Sequence, residues 1–374
     1  MGNLDVEFIE GEHLPARLLD VGTAEEAEAC CSSGNHEKGS LRLIHTKDAK
    51  YGQLPVPNDA RWKHHSSLNP RWIYYAALSH RWGKSTELSS TKKENLQSRF
   101  KEIDYFQLCR TFQDAIVVAR ELRLRYLWID SLCIVQDDKD DWKAESAIMG
   151  DVYYKSFVTL FAHSYDQSSS DANPDQVKEI ECDENPLNEN IDSYTEGANV
   201  KAVVDEDGGT GFLEAALCAE GDSPVFLGST NSKLRQKEEF IYAKRQHMFE
   251  VDIQNSGLTS RGWIVQERLL SPRLVHFFHS QLFYESKLNG IVRAEDRTPA
   301  YSDPDELREY IFSSQTRFGS TPDEWFKVVE RFCSCQLTQG SDKLLAIGGI
   351  AQKFHTESQI EWRKASCGSG GGQT

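Results

Sequence analysis

The sequence lacks the long apolar run that a membrane-spanning helix requires. No stretch approaches the roughly 18 consecutive apolar residues needed to cross a bilayer. Residues 1–20 have neither the basic nor the apolar region of a secretory signal, and Val6 stands where a myristoylation signal has Ser or Thr. We therefore expect a protein that is neither secreted nor associated with membranes.

Paired cysteine motifs and glycosylation sequons are also missing. The nine cysteines are odd in number and scattered, unlike a disulfide framework, and no Asn-x-Ser/Thr sequon occurs. Cys333 and Cys335 do not form a CxxC pair, and His276 and His279 do not form an HExxH motif, so no metal site is predicted. These features indicate a soluble protein of a reducing intracellular compartment.

Positive charge is scarce, and the common nucleotide-binding motifs are absent. Lys and Arg total 42 against 58 Asp and Glu, a net charge of −16. Such a balance disfavours nonspecific binding to nucleic acids or anionic membranes. No GxGxxG follows the first apolar run and no GxxxxGK[ST] occurs, which disfavours ordinary dehydrogenase and P-loop chemistry.

What the chain does contain is a globular composition and a strand–helix alternation. Its 374 residues suggest two or three units at roughly 150 residues each. Short apolar runs predict buried strands at Ile73–Leu78, Tyr126–Ile129 and Phe157–Ala162. A helix is predicted between the first two strands, with Thr111 as N-cap and Asp114 as its capping-box partner. A second helix is predicted over Asp140–Ser156, between the second and third strands. This order predicts an α/β fold with a mostly parallel sheet flanked by helices.

The remaining segments extend this prediction. We expect a peripheral N-terminal segment over 1–70 with a strand at 41–44, a main domain over 71–300 with an acidic insertion at 166–250, a helical region over 301–365, and a disordered tail at 366–374. Within the main domain, Ser260–Leu270 predicts a helix, and Leu274–Phe278 with Gln281–Glu285 predicts an added β-hairpin. Helices are also predicted over Trp325–Phe332 and Lys343–Phe354.

Polar residues follow each predicted strand, where parallel sheets bind ligands. They are Ser79-His80-Arg81-Trp82, Asp130-Ser131 and His163-Ser164. Asp130 directly ends an apolar run, so its carboxylate must be paired or functional. Loops are polar in general, and this simpler interpretation remains open for each position.

Glu145 is the second candidate, because it lies on the apolar stripe of its predicted helix. An inward carboxylate has a raised pKa unless a partner meets it, and Arg81 and Arg261 are the candidate partners. The alternative is a buried ion pair that fixes packing. Arg261 and Glu267 are six residues apart and not on one helix face, so Arg261 is expected to face the cleft and Glu267 to pair elsewhere.

Cys133 is a weaker candidate. It is either a nucleophile served by His80 or His163, or, more commonly for a cysteine in an apolar run, part of the core. Trp82, Trp128, Trp142 and Trp263 are expected to be mainly core residues, with an interface as the alternative.

Six blocks of the sequence resemble the fungal heterokaryon incompatibility (HET) domain. In chain order they are ALSHRWG at 77–83, TFQDAI at 111–116, YLWIDSLCIVQD at 126–137, DWKAE at 141–145 with Met149 and Val152-Tyr153, RGWIVQERLLS at 261–271 and DKLLAIGGIA at 342–351. The chain departs from the family pattern at His80-Arg81, where Tyr-Cys is usual, and at Cys109-Arg110, where Leu-Pro is common.

The resemblance implies a cytoplasmic fungal protein of nonself recognition whose domain triggers cell death. It also implies a remote likeness to Toll/interleukin-receptor (TIR) domains, some of which cleave NAD⁺ with a glutamate, on a TIR- or Rossmann-like core.

Two main hypotheses follow. In the first, the protein hydrolyses NAD⁺ or a related nucleotide, with Glu145 and Asp130 catalytic and Ser79, His80, Arg81, Trp82, Ser131, Arg261 and Glu267 binding the substrate. This hypothesis predicts no bound cofactor and no metal. In the second, it is a non-enzymatic signalling module that self-associates or binds other incompatibility proteins. A biosynthetic enzyme on the same fold is a remote third.

Overall fold

The computed structural model describes a central set of segments of the chain. They are residues 14–23, 26, 41–49, 72–163, 212–213, 225–232, 237–243, 249, 253, 256–278, 281–286, 290–293, 322–337 and 339–368. Most of the predicted insertion, including the glycines at 208–211, and the tail at 369–374 lie outside these residues.

Ten strands and eight α-helices are described. The strands are β1 (Arg17–Asp20), β2 (Arg42–His45), β3 (Tyr75–Ser79), β4 (Tyr126–Trp128), β5 (Val158–Ala162), β6 (Val225–Ser232), β7 (Lys237–Ala243), β8 (Arg273–Phe277), β9 (Leu282–Ser286) and β10 (Gly290–Arg293). The helices are α1 (Lys84–Leu88), α2 (Lys93–Arg99), α3 (Arg110–Glu121), α4 (Asp130–Cys133), α5 (Lys139–Lys155), α6 (Gly262–Leu270), α7 (Pro322–Cys333) and α8 (Lys343–Gly368).

Eight of the strands form one mixed sheet in the order β10-β9-β8-β5-β3-β4-β1-β2, and β6 pairs separately with β7. Strands β4, β3, β5 and β8 are parallel to one another, whereas β1 and β2 at one edge and β9 and β10 at the other pair antiparallel. The predicted α/β class, with a mostly parallel core and an added hairpin of β8 and β9, is therefore confirmed.

The strand order creates a switch point between β3 and β5. From β3 the chain goes to β4 on one side, and from β5 it goes on to β8 on the other. In doubly wound sheets, the crevice at such a point, outside the carboxyl ends of the strands, is where ligands bind. Ser79 and His80 stand at the carboxyl end of β3, and His163 directly follows β5.

Helices cover both faces of the sheet. The Tyr75 hydroxyl of β3 donates to the Val152 oxygen of α5 at 2.6 Å, and Ser79, four residues on, lies on the same face. The next residue, His80, points to the other face, where its ring meets Phe112 of α3 edge-on. Ser79 and His80, at the carboxyl end of β3, thus face helices on opposite sides of the sheet.

The C-terminal helices pack tightly against α5. A Cβ built on Gly349 of α8 would lie 2.8 Å from the Cα of Gly150 in α5 and 2.6 Å from Oε1 of Gln266 in α6. The Gly349 amide donates to that oxygen at 2.8 Å. The three helices therefore meet at a point where only glycine leaves room, which fixes α6 over the sheet.

The helix at 110–121 begins earlier than the sequence predicts. It starts at Arg110 with Cys109 as N-cap, and no side chain caps it. The predicted capping box of Thr111 and Asp114 is wrong, because the Asp114 carboxylate instead accepts from the Leu213 amide at 2.9 Å. A long-range partner has replaced the local one.

The N-terminal segment contributes two strands to the sheet. The predicted strand at 41–44 is present as β2, while β1 was not predicted and lies inside the sheet between β4 and β2 with all four residues buried. At the other end, α8 continues through residues 366–368, the first part of the predicted disordered tail.

Candidate functional site

Ser79 and Asp130, two of the predicted strand-end residues, lie near Glu267 of α6 at the carboxyl edge of β3 and β4. The Glu267 side chain is buried against the hydroxyls of Ser79 and Tyr153, within the electrostatic range of Arg261 and Asp130. Burial raises the pKa of Glu267, with a smaller contribution from Asp130, while Ser79, Arg261 and Tyr153 lower it, and the resulting pKa is about 7. Near neutral pH this carboxyl can both accept and release a proton.

Asp130 holds the loop after β3 against the end of β4. Its Oδ2 accepts from Nε1 of Trp82 at 2.8 Å, and its Oδ1 accepts from the Ser131 amide at 2.7 Å. Nδ1 of His80 lies 3.7 Å from Oδ1 of Asp130. Since His80 is buried, its pKa is lowered despite the nearby carboxylate, and the ring is neutral at pH 7.

Arg261 joins this cluster from the residue before α6. Its Nη1 donates to the main-chain oxygen of His80 at 2.8 Å. Because Arg261 caps the helix and stands outside its first turn, its guanidinium acts on Glu267 although the two are six residues apart. Arg261 therefore acts on Glu267 through its charge, while the side chain of Glu267 lies against the hydroxyls of Ser79 and Tyr153.

Some buried polar atoms in this cluster have no hydrogen-bond partner. Within the described part of the chain, they are Nε2 of His80 and Oγ of Ser131, whereas the hydroxyl of Ser79 and the carboxyl of Glu267 lie against each other. Such atoms are rare in native cores because each costs about 1–3 kcal/mol. Donors and acceptors grouped in this way are suited to holding a polar ligand or water.

Glu145 lies on α5, the helix that also carries Tyr153. As predicted, it is buried, and both of its oxygens accept from the Ala16 amide, at 3.2 and 3.3 Å. Burial raises its pKa, while the Ala16 amide and Arg17 lower it. The predicted partners Arg81 and Arg261 are thus replaced by residues of the N-terminal segment.

The structure does not bring Glu145 to the Glu267 cluster. Tyr153, which contacts that cluster, is eight residues farther along α5, or about 12 Å at the helical rise. Arg17 next to Glu145 bridges to Asp141 and donates to the Cys133 oxygen at 2.7 Å. Glu145 therefore helps to hold β1 onto α5.

The other predicted residues have different environments. Arg81 is exposed, and its Nη1 lies 3.3 Å from where a Cβ on Gly257 would stand. Cys133 is fully buried, and burial raises its pKa to about 12, so the thiol stays protonated and the core interpretation is favoured over the nucleophile. Of the four tryptophans considered, Trp128 is fully buried and the others are partly buried.

Sequence reasoning missed two features of this edge. Tyr153 lies on the apolar face of α5, yet its hydroxyl reaches Glu267 and lies 3.4 Å from the Leu78 oxygen. A tyrosine on a buried stripe is itself a signal, since its hydroxyl needs a partner. The second feature is a hydrogen-bonded chain through His163 and His276, for which two histidines on neighbouring strands were the available signal.

Among the described residues, no group of three His, Cys, Asp or Glu side chains is arranged to hold a metal ion. No helix in the same segments has both the length and the apolar character to cross a membrane.

Comparison with known families gives one match. The model of the family described as heterokaryon incompatibility protein (HET) matches residues 75–267, just over half of the chain, and this range runs from the start of β3 to Glu267. No curated protein and no solved structure matches the chain.

Proposed function

Because this chain belongs to the heterokaryon incompatibility (HET) family, we propose that it acts in nonself recognition as an enzyme that hydrolyses a nucleotide of the NAD⁺ type. The observation that carries the proposal is the Glu267 cluster, where a carboxyl with a pKa of about 7 is surrounded by buried polar atoms without partners. Loss of the nucleotide in the cell would then be the cause of cell death.

The reaction breaks the bond between ribose C1′ and the nicotinamide nitrogen. Nicotinamide leaves as a neutral molecule, water adds its oxygen to C1′, and one proton goes to solvent. The transition state resembles an oxocarbenium ion, and a nearby carboxylate stabilises its positive charge. Glu267 supplies this carboxylate in its ionised form, so turnover should rise with pH through about 7.

Other residues of the cluster would bind the substrate. The buried hydroxyls of Ser79 and Ser131 match the hydrogen-bonding needs of ribose hydroxyls. Arg261 supplies the positive charge for a pyrophosphate, and the half-buried Trp82 supplies a face for a ring to stack on. Asp130 acts as a positioning residue, since both of its oxygens already hold the surrounding loops.

Release of nicotinamide from NAD⁺ by the purified chain tests the proposal. We expect turnover by the wild type and a loss of about 100-fold or more in kcat for Glu267→Gln, which removes the charge at constant shape. Glu121→Gln, at an exposed position at the end of α3, is the matched control and should keep the wild-type rate.

Glu145→Gln distinguishes the two carboxyls. A loss of turnover in this variant alone would return the catalytic role to Glu145, as the sequence predicts, and would overturn the assignment to Glu267. No nicotinamide release at high protein concentration, with or without crowding agents, would reject the enzyme. If Glu267→Gln then folds and still kills cells on overexpression, the non-enzymatic signalling module is the correct alternative.

A further inference from the structure

A second buried network runs from a serine to a carboxylate at the ends of β5 and β8. Oγ of Ser256 lies 2.7 Å from Nδ1 of His163, and Nε2 of His163 lies 2.9 Å from Nδ1 of His276. Nε2 of His276 lies 2.9 Å from Oε2 of Glu285. The carboxylate of Glu285 is in turn paired with Arg268 of α6, at 3.4 Å.

A neutral His276 that donates to the carboxylate sets the direction of every hydrogen bond in this chain. The carboxylate of Glu285 lies beside Arg268 and accepts from Nε2 of His276, and in the neutral ring Nδ1 then carries no proton and accepts. Nε2 of His163 therefore donates, and its Nδ1 accepts from the hydroxyl of Ser256. The histidine next to the serine is thus a neutral base, already oriented to take the serine proton.

The strand register explains why these residues meet. His276 of β8 is opposite Phe283 of β9, so Glu285, two residues on, shares its face of the sheet. On the other side of β8, Phe161 of β5 pairs with His276, and His163 lies two residues beyond Phe161 on that same face. The ends of β5, β8 and β9 therefore place His163, His276 and Glu285 in one row on the same face of the sheet.

The surroundings of the row are aromatic. The ring of Phe278 stacks on His163 with centroids 3.9 Å apart, and Phe249 meets His276 edge-on at 5.1 Å. Burial and the neighbouring His276 and Arg268 hold the pKa of His163 well below its usual value. Before the reaction this base is therefore unprotonated at pH 7.

Two groups next to Ser256 are suited to stabilise a negative oxygen. The amide of Gly257 makes no hydrogen bond in the portion of the chain that the structure describes. A guanidinium nitrogen of Arg81 lies 3.3 Å from where a Cβ on Gly257 would stand. An amide directly after a nucleophilic serine is a common oxyanion donor.

We propose that Ser256 is an activated nucleophile, with His163 as its general base and His276 and Glu285 as positioning residues, and that this second site hydrolyses small carboxylic esters with an apolar acyl group. Oγ of Ser256 bonds to the carbonyl carbon while its proton passes to Nδ1 of His163. The ester C–O bond then breaks and the leaving alkoxide takes that proton. Water, deprotonated by His163, releases the carboxylic acid and restores the serine.

Labelling of the full-length chain with a fluorophosphonate probe tests this site. The probe forms an Oγ–P bond and loses fluoride, and it reports an activated serine whatever the natural acyl group. We expect one adduct per chain, located at Ser256 by mass spectrometry, and none in Ser256→Ala. His163→Gln should slow labelling by about 100-fold or more, the usual contribution of a general base.

Ser260→Ala is the matched control, since Ser260 is exposed in the same turn and its hydroxyl donates to the Gly257 oxygen. It should label at the wild-type rate. If circular dichroism shows that His163→Gln is unfolded, Glu285→Gln takes its place, with slower labelling expected. No adduct at Ser256 in the folded wild type, or unchanged labelling in the folded His163 or Glu285 variant, would overturn the proposal.

Discussion

Nη1 of Arg261 donates to the main-chain oxygen of His80 at 2.8 Å, across 181 positions of the sequence. This bond fastens the residue before α6 to the carboxyl end of β3. It also keeps a positive charge near Glu267, the buried carboxyl on which the proposed chemistry depends. Through Arg261, the position of α6 therefore influences the pKa of Glu267.

Glu267 should make the stability of the protein depend on pH. Its pKa is raised from 4.5 to about 7 on folding, so between these values the folded chain holds a proton that the unfolded chain lacks. The free energy of unfolding therefore falls as pH rises from about 4 to about 7, by about 3 kcal/mol for this group. Urea unfolding at pH 4.5 and pH 8 should show this loss in the wild type and its absence in Glu267→Gln.

Glu121→Gln should follow the wild type in that experiment, because its side chain is exposed. Parallel pH curves for the wild type and Glu267→Gln would mean that Glu267 is ionised in the folded protein at all these pH values.

Arg261→Gln should raise the pKa of Glu267 further. The guanidinium lowers that pKa, so its removal leaves burial and Asp130 less opposed. The pH range over which stability falls, and the pH at which turnover rises, should both move upward. Lys101→Gln, which removes an exposed positive charge, should move neither. An unchanged pH range in Arg261→Gln would show that the two groups do not interact.

Replacing each of two adjacent glycines in α8 by alanine should change the stability of the protein in opposite directions. In Gly349→Ala the new Cβ would lie 2.6 Å from Oε1 of Gln266, so the helices must separate, and we expect a loss of about 1–3 kcal/mol. Gly348 has nothing within 4 Å of such a Cβ, so Gly348→Ala should gain up to about 1 kcal/mol from helix propensity. Thermal unfolding of the two variants measures the contrast, and equal shifts would contradict the close packing of α5, α6 and α8.

Much of the fold could be predicted because its signals are local. The apolar runs that became β3, β4 and β5 and the buried position of Glu145 on α5 follow from periodicity over a few residues. The partner of Glu145 does not, since the Ala16 amide is 129 positions away and directly precedes β1, a strand that no sequence pattern places inside the sheet.

The sequence pattern indicated which residues lie near the candidate site, but it did not indicate that Glu267 lies in the middle of them. The polar residues after β3 and β4 were identified, because strand ends in parallel sheets meet at one edge. The role of Glu267 depends on how α6 docks, which is set by contacts such as Gln266 with Gly349. No pattern within 261–271 contains that information.

Removing Asp141 should destabilise the protein strongly. Arg17 is buried and pairs with Asp141, whose Oδ2 also accepts from the Val135 amide at 2.8 Å. Asp141→Ala leaves the guanidinium without its carboxylate, and we expect a loss of about 3–5 kcal/mol. Lys93→Ala, at an exposed ion pair with Asp138, should lose much less stability, because solvent screens that pair. Similar losses in chemical unfolding for both variants would contradict the burial of the Arg17 pair.

The proposed enzyme must bind a nucleotide at the carboxyl end of β3 beside Glu267. A crystal structure of the chain with a non-hydrolysable NAD⁺ analogue measures this directly. We expect ribose oxygens within hydrogen-bonding distance of Glu267 and Ser79, with the pyrophosphate near Arg261. An analogue bound at Glu145 with the Glu267 cluster closed, or crystals that hold no analogue at saturating concentration, would contradict it.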